Sequence, residues 1–160
     1  MAKNIFFIDT CILLDILKVP TKYDEKNSLI CTKLLAERAK DGNSLIIMPI
    51  SVIIETGNHI NHIKNASQRS ECYKKYLDIL NCIQSETLPW QLFGYDYKNQ
   101  DLDRIISLST ELSNSQVGIG DIFILDSFNQ YLKDIPKGRN YNVEIWTKDK
   151  HLKAYSVFDY

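Results

Sequence analysis

Residues 5–14 read Ile-Phe-Phe-Ile-Asp-Thr-Cys-Ile-Leu-Leu, an apolar stretch that the carboxylate of Asp9 interrupts. The nearly continuous apolar run over residues 4–8 is typical of a short strand buried in a parallel sheet. The apolar residues that follow recur at intervals of three and four, which predicts a helix. Asp9 therefore lies where a buried strand ends and a helix begins, and an ionised carboxylate in such surroundings requires a helix cap, a cation or a metal.

The rest of the chain alternates in the same way between apolar runs and helical spacing. Leu45–Met48 and Val143–Thr147 predict two more buried strands, and Tyr155–Phe158 is a weaker strand candidate. Ser85–Asn99 is the least regular stretch and predicts no regular element. Strands that alternate with helices indicate an α/β fold with a parallel sheet covered by helices. Helices are predicted over about 27–40, from residue 50, over 68–83 and 101–112, and from residue 121.

Composition places the chain among ordinary globular proteins. Its 160 residues predict one domain over 1–160, and the hydrophobic and charged fractions of 44% and 24% suit a soluble protein. A net charge of −1 excludes a general attraction to polyanions, so contact with nucleic acid needs a local basic patch. The four cysteines show no CxxC pairing, which favours free thiols in a reducing cytosol. No apolar run reaches membrane-spanning length and no signal peptide is evident, so we expect a cytoplasmic protein.

Acidic residues recur where the predicted strands give way to helices. Asp9 follows the first strand, Glu55 lies about two turns into the helix after the second, Asp121 opens a helix after a glycine turn, and Asp149 follows the third strand. Because the carboxyl ends of parallel strands meet at one edge of a sheet, we expect these side chains to converge. Clustered carboxylates repel one another unless a cation lies between them, and oxygen ligands suit magnesium or manganese. The pattern predicts metal-assisted hydrolysis of a phosphodiester.

Each of these residues taken alone has a simpler explanation. Asp9, Asp121 and Asp149 all fit helix N-caps or turn residues. Glu55 fits a glutamate on the surface of a helix, although the apolar residues 50 and 52–54 before it argue against a surface position. Helix capping does not predict that acids recur where several strands give way to helices. This recurrence is the feature that points to a metal.

Four segments together resemble a PIN domain: FFIDTCILLDIL (6–17), PISVIIET (49–56), GIGDIFILDSF (118–128) and IWTKD (145–149). They occur in the order of that family and span nearly the whole chain. The resemblance implies a three-layer α/β/α fold with a mainly parallel sheet. It also implies metal-dependent nuclease activity, usually endonucleolytic on RNA. Many small bacterial members are toxins neutralised by a cognate antitoxin, and others serve in RNA processing and quality control.

The resemblance assigns roles to particular residues of this chain. It implies Mg²⁺ or Mn²⁺ as the cofactor and products with a 5′-phosphate and a 3′-hydroxyl. Thr10 and Thr147 match its supporting hydroxyls, and we expect Thr10 to orient Asp9 or a water ligand. Asp149 would support the site or bind a second ion. The catalytic and metal-binding carboxylates that it implies are Asp9, Glu55, Asp121 and Asp149.

Two intervals depart from the compact toxin members of the family. The Lys133–Asn142 segment lengthens the stretch of sequence between Asp121 and Asp149. Ser85–Asn99, rich in aromatic residues around Trp90, is either an insertion that faces the substrate or a loop that binds a partner.

Other candidate contacts lie near the acidic residues. Lys148, Lys150 and His151 flank Asp149 and are either RNA phosphate contacts or parts of a solvated turn. Glu55, His59 and His62 share one helix stripe, which would suit a zinc site but more often lines a groove or meets solvent. We expect Asp15 to be solvated and Asp126 to point away from the other acids.

The expected partners follow from this assignment. They are an RNA substrate, a protein antitoxin or regulatory partner, and a second copy of the chain in a homodimer. The competing hypothesis from another functional class is a catalytically inactive PIN-like subunit that binds a partner. The toxin of a toxin–antitoxin pair, a defence nuclease and a processing enzyme would share the same site at this level.

Overall fold

A four-stranded sheet forms the centre of the protein, seen here in a computed structural model that describes residues 3–94, 96–115, 117–138, 140–158 and 160. The strand order is β3-β2-β1-β4, and every neighbouring pair is parallel. This confirms the α/β class with a parallel central sheet. The strands are β1 (Lys3–Ile8), β2 (Ser44–Pro49), β3 (Trp90–Phe93) and β4 (Tyr141–Trp146).

Two sets of helices connect the strands. The chain steps from β1 to β2 to β3 in one direction through α1–α4, and then returns across the sheet to β4 through α5 and α6. Of the helices in the described ranges, none combines the length and the apolar character needed to cross a membrane. The helices are α1 (Thr10–Leu17), α2 (Glu25–Asp41), α3 (Ile50–Asn61), α4 (Ala66–Gln84), α5 (Leu102–Glu111), α6 (Ile119–Asp134) and α7 (Lys150–Lys153), with a 3-10 turn at Asn99–Asp101.

Two neighbouring residues of β1 show that both faces of the sheet are covered. The ring of Phe6 lies under the guanidinium of Arg38 on α2, 3.5 Å from the ring centroid. The ring of Phe7 packs edge-on against Phe128 and Tyr131 of α6, with both centroids 5.4 Å away. Because successive side chains of a strand point to opposite faces, α2 covers one face and α6 the other. The helices therefore form the two outer layers around the sheet.

The strand predictions hold for β1, β2 and β4, but β3 was missed. Trp90–Phe93, which the sequence predicted to be irregular, pairs in parallel with β2 from Ile46 to Pro49. The strand is only four residues long and sits at the edge of the sheet, so its apolar pattern is short and broken. Tyr155–Phe158 contributes a single antiparallel bridge, between Val157 and Val143, rather than a strand.

The two longer intervals contain regular elements and their connections. Ser85–Asn99 contains the C-cap residue of α4, the edge strand β3 and the first residue of the 3-10 turn. Lys133–Asn142 runs from the end of α6 into β4. Tyr95 and Arg139, one in each interval, lie outside the described residues.

The order of the strands reverses between β1 and β4. From β1 the chain moves to β2 on one side, while β4 returns to the other side of β1. In open α/β sheets, the crevice at the carboxyl ends of two such strands is the usual place for a ligand. Asp9 follows β1, and Thr147 follows β4, so both lie at this crevice.

A buried ion pair joins α5 to α6. Arg104 donates from Nε to Asp126 Oδ1 at 2.8 Å and from Nη2 to Oδ2 at 3.2 Å, and it also donates to Asp101. The Asp126 side chain is only 2% exposed. Asp126 is therefore held by a guanidinium between two helices, which accords with the expectation that it points away from the other acids.

Replacing Arg104 should destabilise the fold. Arg104→Met leaves the Asp126 carboxylate buried without its charge partner, and we expect a loss of about 3 kcal/mol in the free energy of unfolding, measured by urea denaturation. The matched control is Lys75→Met, since Lys75 pairs with Glu71 in solvent and should contribute little. Equal small effects for the two variants would show that the Arg104 pair does not support the packing of α5 on α6.

Candidate active site

The carboxylate of Asp9 is buried at the junction of β1 and α1. Asp9 occupies the N-cap position of α1, yet its side chain caps no backbone N–H group. Its Oδ2 instead accepts hydrogen bonds from Thr147 Oγ1 at 2.6 Å and from Cys11 Sγ at 2.9 Å. Asp9 is 7% exposed. Helix capping by the side chain therefore does not account for this carboxylate.

The hydroxyl of Thr147 links Asp9 to Asp149. Besides donating to Asp9, Thr147 Oγ1 accepts a hydrogen bond from the backbone N–H of Asp149 at 2.9 Å. The Asp149 carboxylate caps α7, since its Oδ1 accepts from the N–H of His151 at 2.7 Å. Thr147 thus supports Asp9, while the simpler helix-cap interpretation does describe the side chain of Asp149.

Glu55 is held from a different direction. Its Oε2 accepts a hydrogen bond from Thr10 Oγ1 at 2.8 Å, and its Oε1 lies 3.8 Å from His59 Nε2. The Thr10 hydroxyl donates to Glu55 and not to Asp9, and so joins α1 to α3. That Thr10 orients a water ligand stays a prediction. His62 turns its Nδ1 to the backbone oxygen of Asn58 at 2.6 Å.

Asp121 reaches the same region from the start of α6. Helix α6 begins at Ile119, so Asp121 lies within its first turn and does not open it. The Asp121 carboxylate accepts a hydrogen bond from the N–H of Gly118 at 3.1 Å. The helix passes close to Glu55, since a Cβ atom on Gly120 would lie 2.9 Å from Glu55 Oε2. A side chain at residue 120 would therefore displace the glutamate.

The four acids act on one another electrostatically. Burial raises the pKa of Asp121, and the negative charges of Asp9, Asp149 and Glu55 raise it further, in that order. The hydrogen bond from the Gly118 N–H acts in the opposite direction. The structure therefore brings Asp121 into the electric field of the other three carboxylates, at the carboxyl edge of the sheet.

The donor set suits a hard divalent cation in its chemistry. The acids offer oxygen atoms only, which is the ligand preference of Mg²⁺ and Mn²⁺. Within the described ranges, however, no three Asp, Glu, His or Cys side chains already stand as a metal-ligating group. An ion would therefore have to draw in the partly exposed carboxylates, of which Glu55 has a side chain 47% exposed.

Cys11 belongs to the site, although the sequence indicated only a buried thiol. Burial raises the pKa of Cys11 to about 12, and the adjacent Asp9 charge adds to this effect. The group is thus a neutral thiol that donates to Asp9. Its place in the first turn of α1, two residues after Asp9, is the signal that could have indicated this contact.

The candidate RNA contacts fall into two groups. Lys150 and His151 are exposed at the start of α7, next to Asp149. Lys148 differs, because its Nζ lies 2.8 Å from Oδ2 of Asp15. The expectation that Asp15 is solvated is wrong, since its side chain is completely buried.

The known structures to which this chain is similar are distant from it. No family model matches the chain, and no curated protein does. The crystal structure of FitAcB from Neisseria gonorrhoeae is 11% identical with a TM-score of 0.48, over 91% of this chain and 87% of that one. The crystal structure of VapBC2 from Rickettsia felis bound to a DNA fragment from their promoter is 19% identical with a TM-score of 0.48, over 82% and 93%.

Neutralising Asp121 should stabilise the protein at neutral pH. A carboxyl group whose pKa is higher in the folded than in the unfolded state favours folding at low pH, and that contribution is lost as the pH rises through the folded-state pKa. Asp121→Asn should therefore raise the melting temperature at pH 7, and the gain should disappear below the ordinary aspartate pKa of about 3.9. Asp78→Asn, on the exposed face of α4, is the control and should change little. A lower melting temperature for Asp121→Asn at pH 7 would contradict the repulsion.

Proposed function

We propose that this protein is a divalent-metal-dependent endoribonuclease whose Mg²⁺ or Mn²⁺ is held by Asp9, Glu55, Asp121 and Asp149. The observation that carries the proposal is the carboxylate of Asp9, which is buried and free of any helix-capping role. It lies at the crevice where the strand order reverses, and its negative charge contributes to the raised pKa of Asp121.

The hydrogen bonds of the acids support a site for a cation. Asp9 is held by a hydroxyl and a thiol, Asp121 by a backbone N–H, and Glu55 by a hydroxyl. All of these donors are neutral, so they orient the carboxylates without cancelling their charge. Clustered carboxylates of this kind are stabilised when a divalent ion lies between them.

The side chains of the site have separate tasks in the proposed reaction. A bound divalent ion would supply charge neutralisation at the phosphate and lower the pKa of a water molecule. Asp9 would be the fixed ligand, because Thr147 and Cys11 restrain its carboxylate. Glu55, which is partly exposed, would be a further ligand, and the Thr10 hydroxyl would orient its carboxylate. The proposed products carry a 5′-phosphate and a 3′-hydroxyl.

Lys150 and His151 are the proposed contacts to the RNA backbone. Both are exposed beside Asp149 at the start of α7. A protein with a net charge of −1 needs such a local patch to hold a polyanion near a cluster of acids.

The biological role that we propose is that of a nuclease toxin with a protein antitoxin, or of a defence nuclease. This part rests on the resemblance of the four sequence segments to PIN domains. Activity in the cytoplasm and assembly into a homodimer belong to the same proposal.

Cleavage of labelled single-stranded RNA in Mg²⁺ or Mn²⁺ tests the activity. Changing a group that only orients a metal ligand costs about 10- to 100-fold, so Asp9→Asn should lower the cleavage rate by at least about 100-fold. Thr147→Val, which removes the donor to Asp9, should lie between the wild type and Asp9→Asn. The control Asp78→Asn should cleave at the wild-type rate, and EDTA should abolish cleavage by all of them.

The alternative function, a catalytically inactive subunit that binds a partner, has its own signature in this assay. Wild type and Asp9→Asn would then be equally inert in both metals. Such a result, with folded protein, would overturn the proposed nuclease.

A further inference from the structure

An ion pair between a buried aspartate and a partly exposed lysine joins α1 to the loop after β4. Asp15 projects from the middle of α1 and is completely buried. Its Oδ2 accepts from Lys148 Nζ at 2.8 Å, and its Oδ1 accepts from the backbone N–H of Asp24 at 3.1 Å. Asp15 thus connects α1 to the start of α2 and to the loop that follows β4.

Lys148 is fixed to α1 at both ends. Its ammonium binds Asp15, and its backbone N–H donates to Cys11 Sγ at 3.4 Å. Lys148 stands between Thr147, whose hydroxyl donates to Asp9, and Asp149, whose backbone N–H donates to Thr147. Whatever holds Lys148 in place therefore also sets the position of its neighbours on either side.

We infer that the Asp15–Lys148 pair is a tether that positions the loop of Thr147 and Asp149 against Asp9, and so tunes the metal affinity of the site. This inference rests on the proposed function. It makes Asp15 and Lys148 positioning residues that act through Thr147 and Asp149, and it removes Lys148 from the set of RNA contacts.

A simple contribution to stability does not explain the pair. Desolvation of two charges offsets most of their attraction, so apolar replacements of both partners are often neutral or stabilising. Next to Asp15, helix α1 buries the apolar residues Ile12, Leu13, Leu14 and Leu17, so an apolar side chain would suit position 15. Unlike apolar packing, the charge pair holds one particular loop residue, Lys148, against one particular helix residue, Asp15.

A positioning role for Lys148 and a purely electrostatic role predict opposite effects of its replacement on Mn²⁺ affinity. Lys148 lies next to the acids, so its ammonium repels a divalent cation. If charge alone mattered, Lys148→Met would tighten Mn²⁺ binding. If the tether matters, the same variant should weaken Mn²⁺ binding, because Thr147 and Asp149 lose their fixed positions.

The experiment measures the dissociation constant of Mn²⁺ alone, without RNA, by titration calorimetry on the full chain. We expect Lys148→Met and Asp15→Asn to weaken Mn²⁺ binding about 10- to 100-fold, as for other residues that orient metal ligands. The double variant Asp15→Leu/Lys148→Met leaves the net charge unchanged and removes the buried unpaired carboxylate. It should recover most of the melting temperature lost in Lys148→Met, short of the acceptor that the Asp24 N–H loses, but not the Mn²⁺ affinity of the wild type.

Each outcome decides between the hypotheses. Wild-type Mn²⁺ affinity in the double variant, or tighter binding in Lys148→Met, would overturn the tether while leaving the nuclease proposal intact. If Lys148→Met does not fold, the double variant alone decides. A wild type that neither binds Mn²⁺ nor cleaves RNA would overturn the proposed function and the tether with it.

RNA binding supplies a second readout, in the Asp9→Asn background that does not cleave. A lysine that contacts a phosphate contributes about 0.7 to the slope of log affinity against log salt for a single strand. Lys150→Met should lower that slope by about this amount, whereas Lys148→Met should leave it unchanged. A lower slope for Lys148→Met would return Lys148 to the RNA contacts and overturn the inference.

Discussion

The hydrogen bond from Thr147 to Asp9 is the interaction on which the arrangement of the site depends. It joins the residue after β1 to the loop after β4, across the point where the strand order reverses. The parallel pairing of β1 with β4, from Lys3 with Tyr141 to Ile8 with Trp146, brings these two loops together. The sheet therefore acts as a rigid support that carries polar groups to one edge, where a buried carboxylate can be held by neutral donors.

The acidic cluster illustrates how a site can work against the stability of the fold. Asp121 loses solvation and faces three other negative charges, and both effects oppose its ionisation. Elsewhere the protein pairs its buried charges, as Arg104 does with Asp126 and Lys148 with Asp15. Among the buried acids in the described part of the chain, Asp9 is the exception, because its hydrogen bonds come only from neutral donors. Such unpaired charge is typical of positions retained for binding rather than for packing.

Much of the fold was predictable because its signals are local. The strands β1, β2 and β4 are covered on both faces of the sheet. Each is therefore a nearly continuous apolar run that can be recognised in the sequence. The edge strand β3 was not predictable in the same way, since four residues in a partly exposed position carry little pattern. Its pairing with β2 depends on contacts with residues more than forty positions earlier in the chain.

For the site, the sequence by itself determined which acids follow the strands, and hence that Asp9 and Asp149 would meet at the carboxyl edge of a parallel sheet. Only the tertiary structure decided which donor holds which acid. Thr10 binds Glu55 rather than its neighbour Asp9, and Asp15 is buried beneath Lys148 rather than exposed to solvent. The physical reason is that the existence of a buried strand follows from a short-range hydrophobic pattern. A hydrogen bond depends on where a distant helix places its side chains, and residue spacing does not encode that.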